Sequence, residues 1–149
     1  MSGIVVGVDG SAGSKQALEW AAAEARVRHV PLTLVHAWYP PFSVYGSFGW
    51  AGADAEALSA LDALARDRLA AIRDGSSAAL EGLDVEAVVV EGLAAPTLLE
   101  AAAEADLLVV GTRGHGGFVG LLLGSVSQEC AHHSPCPIVI VPSAPPPEA

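Results

Sequence analysis

"DLLVVGTRGHGGFVGLLLGS", residues 106–125, runs from an apolar stretch into a segment with six glycines that ends in Gly124-Ser125. The apolar start reads as a buried strand, and a short helix is expected after Gly124. A glycine-rich link between a strand end and a helix start suits an anion, because backbone N–H groups approach it closely there. The two best-known phosphate loops do not fit. GxxxxGK followed by Ser or Thr needs a lysine that the segment lacks. A GxGxxG beginning at Gly114-His115-Gly116 reaches Val119 where Gly or Ala should stand, and it follows the fourth apolar run instead of the first.

Outward from this segment the chain alternates. "GIVVGVD" ends in Asp9, "PLTLVHAW" ends in Trp38, "DVEAVVVEG" ends in Gly92, and "CPIVIVP" follows the glycine segment. Each is a short apolar run of strand type. Between the first two, Ala17, Leu18, Ala21, Ala22 and Ala25 fall at helical spacing, with Ser11 and Ser14 both available as N-caps. Leu58, Leu61, Ala65, Leu69 and Ile72 predict one long amphipathic helix over about 53–80. Pro96 suits the first turn of a helix through "TLLEAAAEA". Five strands alternating with helices predict an α/β fold, a single open sheet with helices on both faces. Ligands of such sheets bind beyond the carboxyl ends of the strands. Asp9, Ala37, Trp38, Glu91, Gly92 and the segment from Gly111 onward are placed there.

Composition narrows the partners. The chain has 149 residues, is 52% hydrophobic and carries a net charge of −10. One lysine, Lys15, and six arginines cannot offset phosphate repulsion over a wide surface, which argues against nucleic acid and anionic membranes as partners. The N-terminus lacks the basic region of a signal peptide, and no run approaches the ~18 apolar residues of a membrane span. Cys130 and Cys136 form no disulfide framework. A cytoplasmic protein is expected, with 1–142 as one domain and 143–149 as a disordered tail.

Gly111-x-x-Gly114, nine residues, then Gly124-Ser125 resembles the nucleotide signature of the universal stress protein family, ATP-binding type. "VVGVDGSAGSKQALEWA" is similar to that family's first strand and helix, "LTLVHAW" to its second strand, "ADLLVVGTRG" to its fourth and "PCPIVIVP" to its fifth. The resemblance implies a parallel sheet in the order 3-2-1-4-5, an adenine nucleotide such as ATP between strands one and four, and a homodimer. By the same resemblance Val8, Asp9, Ala37, Val110, Gly111, Arg113, Gly114, Gly124, Ser125, Val126 and Ser127 line the nucleotide site. Asp9 would lie near the phosphates and an accompanying Mg²⁺ or Mn²⁺, and Ala37 with nearby backbone would meet the adenine. In that strand order residues 137–141 form an edge, which pairing with a second copy would cover. Either Ile138 and Ile140 or Val139 and Val141 would then face the partner.

The residues support such a loop physically. Gly111 and Gly114 permit positive φ and close approach to an anion. N–H groups of Gly124, Ser125 and Val126 would open a helix toward it, and Ser125 and Ser127 add hydroxyl donors. Four charge-assisted bonds at ~1.5–3 kcal/mol each give ~6–12 kcal/mol, and a micromolar dissociation constant needs ~8 kcal/mol. Asp9 can also be read, secondarily to the ligand role, as a cap for the first helix turn. Hydrolysis would require a positioned water or base and stabilisation of the γ-phosphoryl group, and no such set is identifiable. A nucleotide-binding regulator with slow or no hydrolysis is therefore expected, the alternative being an ATPase or adenylyl-transfer enzyme on the same fold.

Three further features stand apart. "WYPPFSVYGSFGW", residues 38–50, holds six of the eight aromatic side chains, either as a flap over the ligand or as a segment packed on a sheet edge or a partner. "CAHHSPC", residues 130–136, lacks the spacing of structural zinc pairs, so its histidines read as helix-end residues. His36 reads as a strand histidine, and Arg113 and His115 face either phosphate or solvent.

Overall fold

The computed structural model describes residues 2–40, 55–112 and 123–143. Five strands, β1 (Ile4–Gly7), β2 (Leu32–Trp38), β3 (Val85–Glu91), β4 (Leu107–Gly111) and β5 (Ile138–Val141), form one sheet in the order β3-β2-β1-β4-β5. Every neighbouring pair is parallel. Among the described residues the helices are α1 (Ala12–Arg28), α2 (Ala55–Gly75), α3 (Ser77–Leu80), α4 (Ala94–Ala101) and α5 (Ser125–His133), with a 3₁₀ turn at Ala102–Glu104 after α4. Among the described residues no helix is long and apolar enough to cross a membrane.

Strand alternation divides the core in two. Ile4, Val6, Leu32, Leu34, Leu107 and Val109 point to one face and meet the α1 stripe together with Leu69 and Leu80. Val5, Val35, Leu108 and Val110 point to the other and meet Ala95, Leu98 and Ala102 behind α4 and Cys130 of α5. Helices therefore cover both faces, as a sheet with apolar side chains on each side requires. Ala17, Leu18, Ala21, Ala22 and Ala25 are each 0% exposed, so the helical spacing in the sequence marks the packed side of α1. Small alanines let α1 sit close over β1 and β4. Ser11 is the N-cap, its Oγ accepting the Ser14 N–H at 3.1 Å. Arg26 and Arg28 in the last turn complement the helix dipole.

The predicted single helix over 53–80 is instead two. It breaks at Gly75 and Ser76, after which α3 turns Leu80 into the first core cluster. Gly75 has no neighbouring atom within 4 Å of where a Cβ would stand, and Ser76 is buried in a non-helical conformation. A glycine without packing, followed by a serine drawn inward, is a weak link in a helix. Ala65 and Leu69 are buried and Leu58, Leu61 and Ile72 half-buried, so the stripe itself faces the sheet as expected.

Candidate functional site

The chain leaves β1 toward β2 and β3, then returns to β4 and β5, so strand order reverses between β1 and β4. At the carboxyl ends of these strands lies a cavity of about 290 Å³. Its size is near the lower end of the ~300–1,000 Å³ common for small-molecule sites. Of the residues singled out in the sequence, Val8, Asp9, Ala37, Val110, Gly111, Gly124, Ser125, Val126 and Ser127 all line it. Arg113, Gly114 and His115, like most of the 38–50 aromatic segment, lie outside the described residues. A second hollow of about 330 Å³ at the opposite end of the strands carries Asp84, Glu86 and Glu104, a set that repels an anion.

Local chemistry fixes each wall. After β1 the chain turns at Gly10, φ 86°, where the Asp9 carboxylate accepts the Ser11 N–H at 2.9 Å. Asp9 thus stabilises the turn into α1 while Ser11 caps the helix, and the carboxylate still borders the cavity. Among the described residues no group of three or more His, Cys, Asp or Glu side chains is arranged to hold a metal ion. A single carboxylate suits Mg²⁺ only where phosphate oxygens and water complete the shell.

On the other side, Thr112 ties three segments together. Its carbonyl accepts the Gly124 N–H at 2.6 Å and the Ser127 hydroxyl at 2.7 Å, its N–H donates to Val141 at 3.0 Å, and its Oγ1 accepts the Ser143 N–H at 3.3 Å. The two feet of the glycine segment are thereby held together at the start of α5. This arrangement corrects several roles. The Gly124 N–H and the Ser127 hydroxyl are already donated inside the protein. Ser125 and Val126 remain in the first turn of α5, where N–H groups have no intrahelical carbonyl. Gly124 has φ −78° and ψ 173°, an extended conformation open to any residue.

Gly111 is likewise not among the positive-φ glycines, which among the described residues are Gly10, Gly82 and Gly92. The closeness it permits is to α1: a Cβ there would stand 3.0 Å from the Gly13 carbonyl oxygen and 3.1 Å from its carbon. Ser143, assigned to a disordered tail, is anchored through Thr112.

Ser14, His36, Arg68 and Leu98 also line the cavity and were not anticipated as site residues. His36 is a strand residue as expected, but it is 4% exposed and its Nδ1 lies 2.8 Å from the Val8 carbonyl oxygen. Arg68 is the one cation among the described lining residues. Arg26, Arg28, Arg66 and Arg73 are instead engaged with carbonyls or carboxylates of the chain. Nothing in the helix pattern separates Arg68 from Arg66 or Arg73; the packing of α2 over β2 and β3 selects it. Behind α5, His132 and His133 lie exposed in its last turn, as helix-end histidines do, while Cys130 is buried.

The universal stress protein Rv2623 of Mycobacterium tuberculosis is 37% identical to the chain over 146 residues, covering 93% of it and 47% of the relative. The chain thus spans about half the length of the curated relatives it matches. A universal stress protein solved in complex with cAMP superimposes with a TM-score of 0.67 at 30% identity, over 96% of this chain and 98% of that one. The universal stress protein UspA from Lactobacillus plantarum has the same fold, with a TM-score of 0.74 at 20% identity over 94% and 97% of the two chains. The model of the universal stress protein family matches residues 1–142, and with this strand order and strand-end cavity the chain belongs to that family.

Proposed function

We propose that the chain is a cytoplasmic regulator of the stress response that binds an adenine nucleotide, ATP with Mg²⁺ or Mn²⁺, and hydrolyses it slowly or not at all. The observation that carries this reading is the cavity at the β1–β4 reversal, walled by the first turn of α5 and floored by Val8, Val35 and Val110. An apolar floor suits a purine, and a helix N-terminus suits phosphate. The cAMP complex of a 30%-identical relative supports the ligand class. In this reading the N–H groups of Ser125 and Val126 and the Ser125 hydroxyl meet phosphate oxygens, with Arg113 and Gly114 in the same loop. Gly111, Gly124 and Ser127 form the frame beneath them. Asp9 holds the metal jointly with the phosphates, and the backbone at Ala37 meets the base. Asp9 is the one carboxylate among the described lining residues, which favours holding the nucleotide over cleaving it. The chain works as a homodimer paired through residues 137–141.

Thermal melts test the reading. At a hundredfold excess over Kd, ATP with Mg²⁺ should stabilise the fold by about 2.7 kcal/mol. GTP should give a smaller shift. Equal shifts remove the adenine assignment, and no shift with either nucleotide removes the site.

A further inference from the structure

His36 offers the cavity something that its neighbours do not. Its Nδ1 lies 2.8 Å from the Val8 carbonyl oxygen. A carbonyl oxygen only accepts, so Nδ1 carries the ring proton and donates it. In the uncharged ring this fixes the tautomer and leaves Nε2 as a bare acceptor. Among the described residues no group donates to Nε2, and no buried side-chain nitrogen or oxygen lacks both a partner and open space beside it. The ring is 4% exposed and lines the cavity, so the open space at Nε2 is the cavity.

The cavity has two ends. The first turn of α5 walls it on the β4 side, and His36 stands on β2, across β1 from there. A nucleotide with its phosphates at α5 therefore extends its base toward His36. We propose that Nε2 of His36 accepts a hydrogen bond from the 6-amino group of the bound purine, making His36 the residue that selects adenine over 6-oxopurines. Hypoxanthine and guanine would set a carbonyl oxygen against the lone pair, two acceptors with no proton between them. The assignment rests on the adenine-nucleotide reading and adds the side chain that reads the base.

Calorimetric titration of the full chain with ATP and ITP, both with Mg²⁺, tests it, using the native protein and His36→Asn. The asparagine amide reaches the Val8 carbonyl as Nδ1 does but leaves no acceptor where Nε2 stood. The native chain should bind ATP about 10- to 100-fold more tightly than ITP, the range expected for a lost bond and an unpaired acceptor. In His36→Asn the ratio should fall to about threefold or less, through weaker ATP binding with ITP little changed.

A second measurement leaves the buried ring intact. In the native chain labelled with ¹⁵N-histidine, the Nε2 resonance of His36 should move upfield with ATP and stay in place with ITP. Equal native affinities for ATP and ITP overturn the assignment. So does a variant that weakens both alike, as a contact to ribose or a packing role would, or an Nε2 signal indifferent to ATP. If the native chain binds neither nucleotide, the nucleotide reading itself has failed and this assignment falls with it.

Discussion

Gly7 and Gly111 both border the cavity, yet a methyl group at each meets a different obstacle. At Gly111 the nearest atoms are Gly13 backbone, 3.0 and 3.1 Å away, which cannot rotate aside. At Gly7 they are the Leu98 methyls, Cδ1 at 2.8 Å, and Leu98 itself lines the cavity. Gly111→Ala should therefore lower stability by about 1–3 kcal/mol, as overpacking does. Gly7→Ala should cost less stability and instead weaken ATP binding as Leu98 is pushed into the ligand space. Urea denaturation and calorimetry on both variants check this, and the reverse pattern would contradict it. Cys130 supplies a pH-dependent test. Burial first, and the charge of Glu129 second, raise its thiol from an ordinary value of 9.0 to about 11. Between these values the unfolded chain gives up a proton that the folded chain keeps, so stability falls as pH rises through that window. A difference of this size is worth about 2–3 kcal/mol. Unfolding midpoints across that range should fall more steeply for the native chain than for Cys130→Ala; parallel curves would show that the thiol does not contribute.

Among the elements, α1 and α2 show how local sequence and packing share control. The alanine stripe of α1 is legible because a helix facing a sheet needs apolar residues at three- and four-residue steps, and every one of them is fully buried. The stripe of α2 is legible for the same reason, but its end is not. Leu80 continues into the core although the helix does not continue with it, since the chain must turn back toward β3. Gly75 sits at that turn with helical backbone and empty space around its α-carbon. Gly75→Ala should therefore raise stability by about 0.4–1 kcal/mol, mainly by restricting the unfolded chain. Thermal melting checks the sign, and a loss of stability would mean that the break depends on glycine.

For the whole molecule, a net charge of −10 and two sheet edges, β3 and β5, frame the question of assembly. Leu108 and Thr112 donate to the carbonyls of Pro137 and Val141, so the backbone groups of Ile138 and Ile140 face the open edge. Their side chains already pack against the second core cluster, and those of Val139 and Val141 against the first. All four side chains keep part of their surface exposed, so pairing of two β5 edges would combine backbone bonds with the open part of an apolar strand without charges. Sedimentation of the native chain at micromolar concentration should give the mass of a dimer, and Ile140→Lys, a charge on that edge, should give a monomer. A native monomer, or a dimer that survives the change, would place association elsewhere or remove it.

The sequence by itself determined what depends on neighbours along the chain. Strands and helices follow from apolar period and the α/β class from their alternation. Strand ends and the glycine spacing place Asp9, Ala37 and Gly111 at the cavity but also point to Trp38, Glu91 and Gly92, which do not line it. The other anticipated lining residues follow from the family resemblance. Tertiary structure decided what depends on residues far apart in sequence. Gly111 serves an approach to Gly13, the Gly124 N–H is taken by Thr112, and the proton of His36 is fixed by Val8, 28 positions away. Arg68 reaches the cavity only because α2 lies across β2 and β3. Periodicity tells which side of an element is buried. It does not tell which donor finds which acceptor, since that requires the elements to be packed together first.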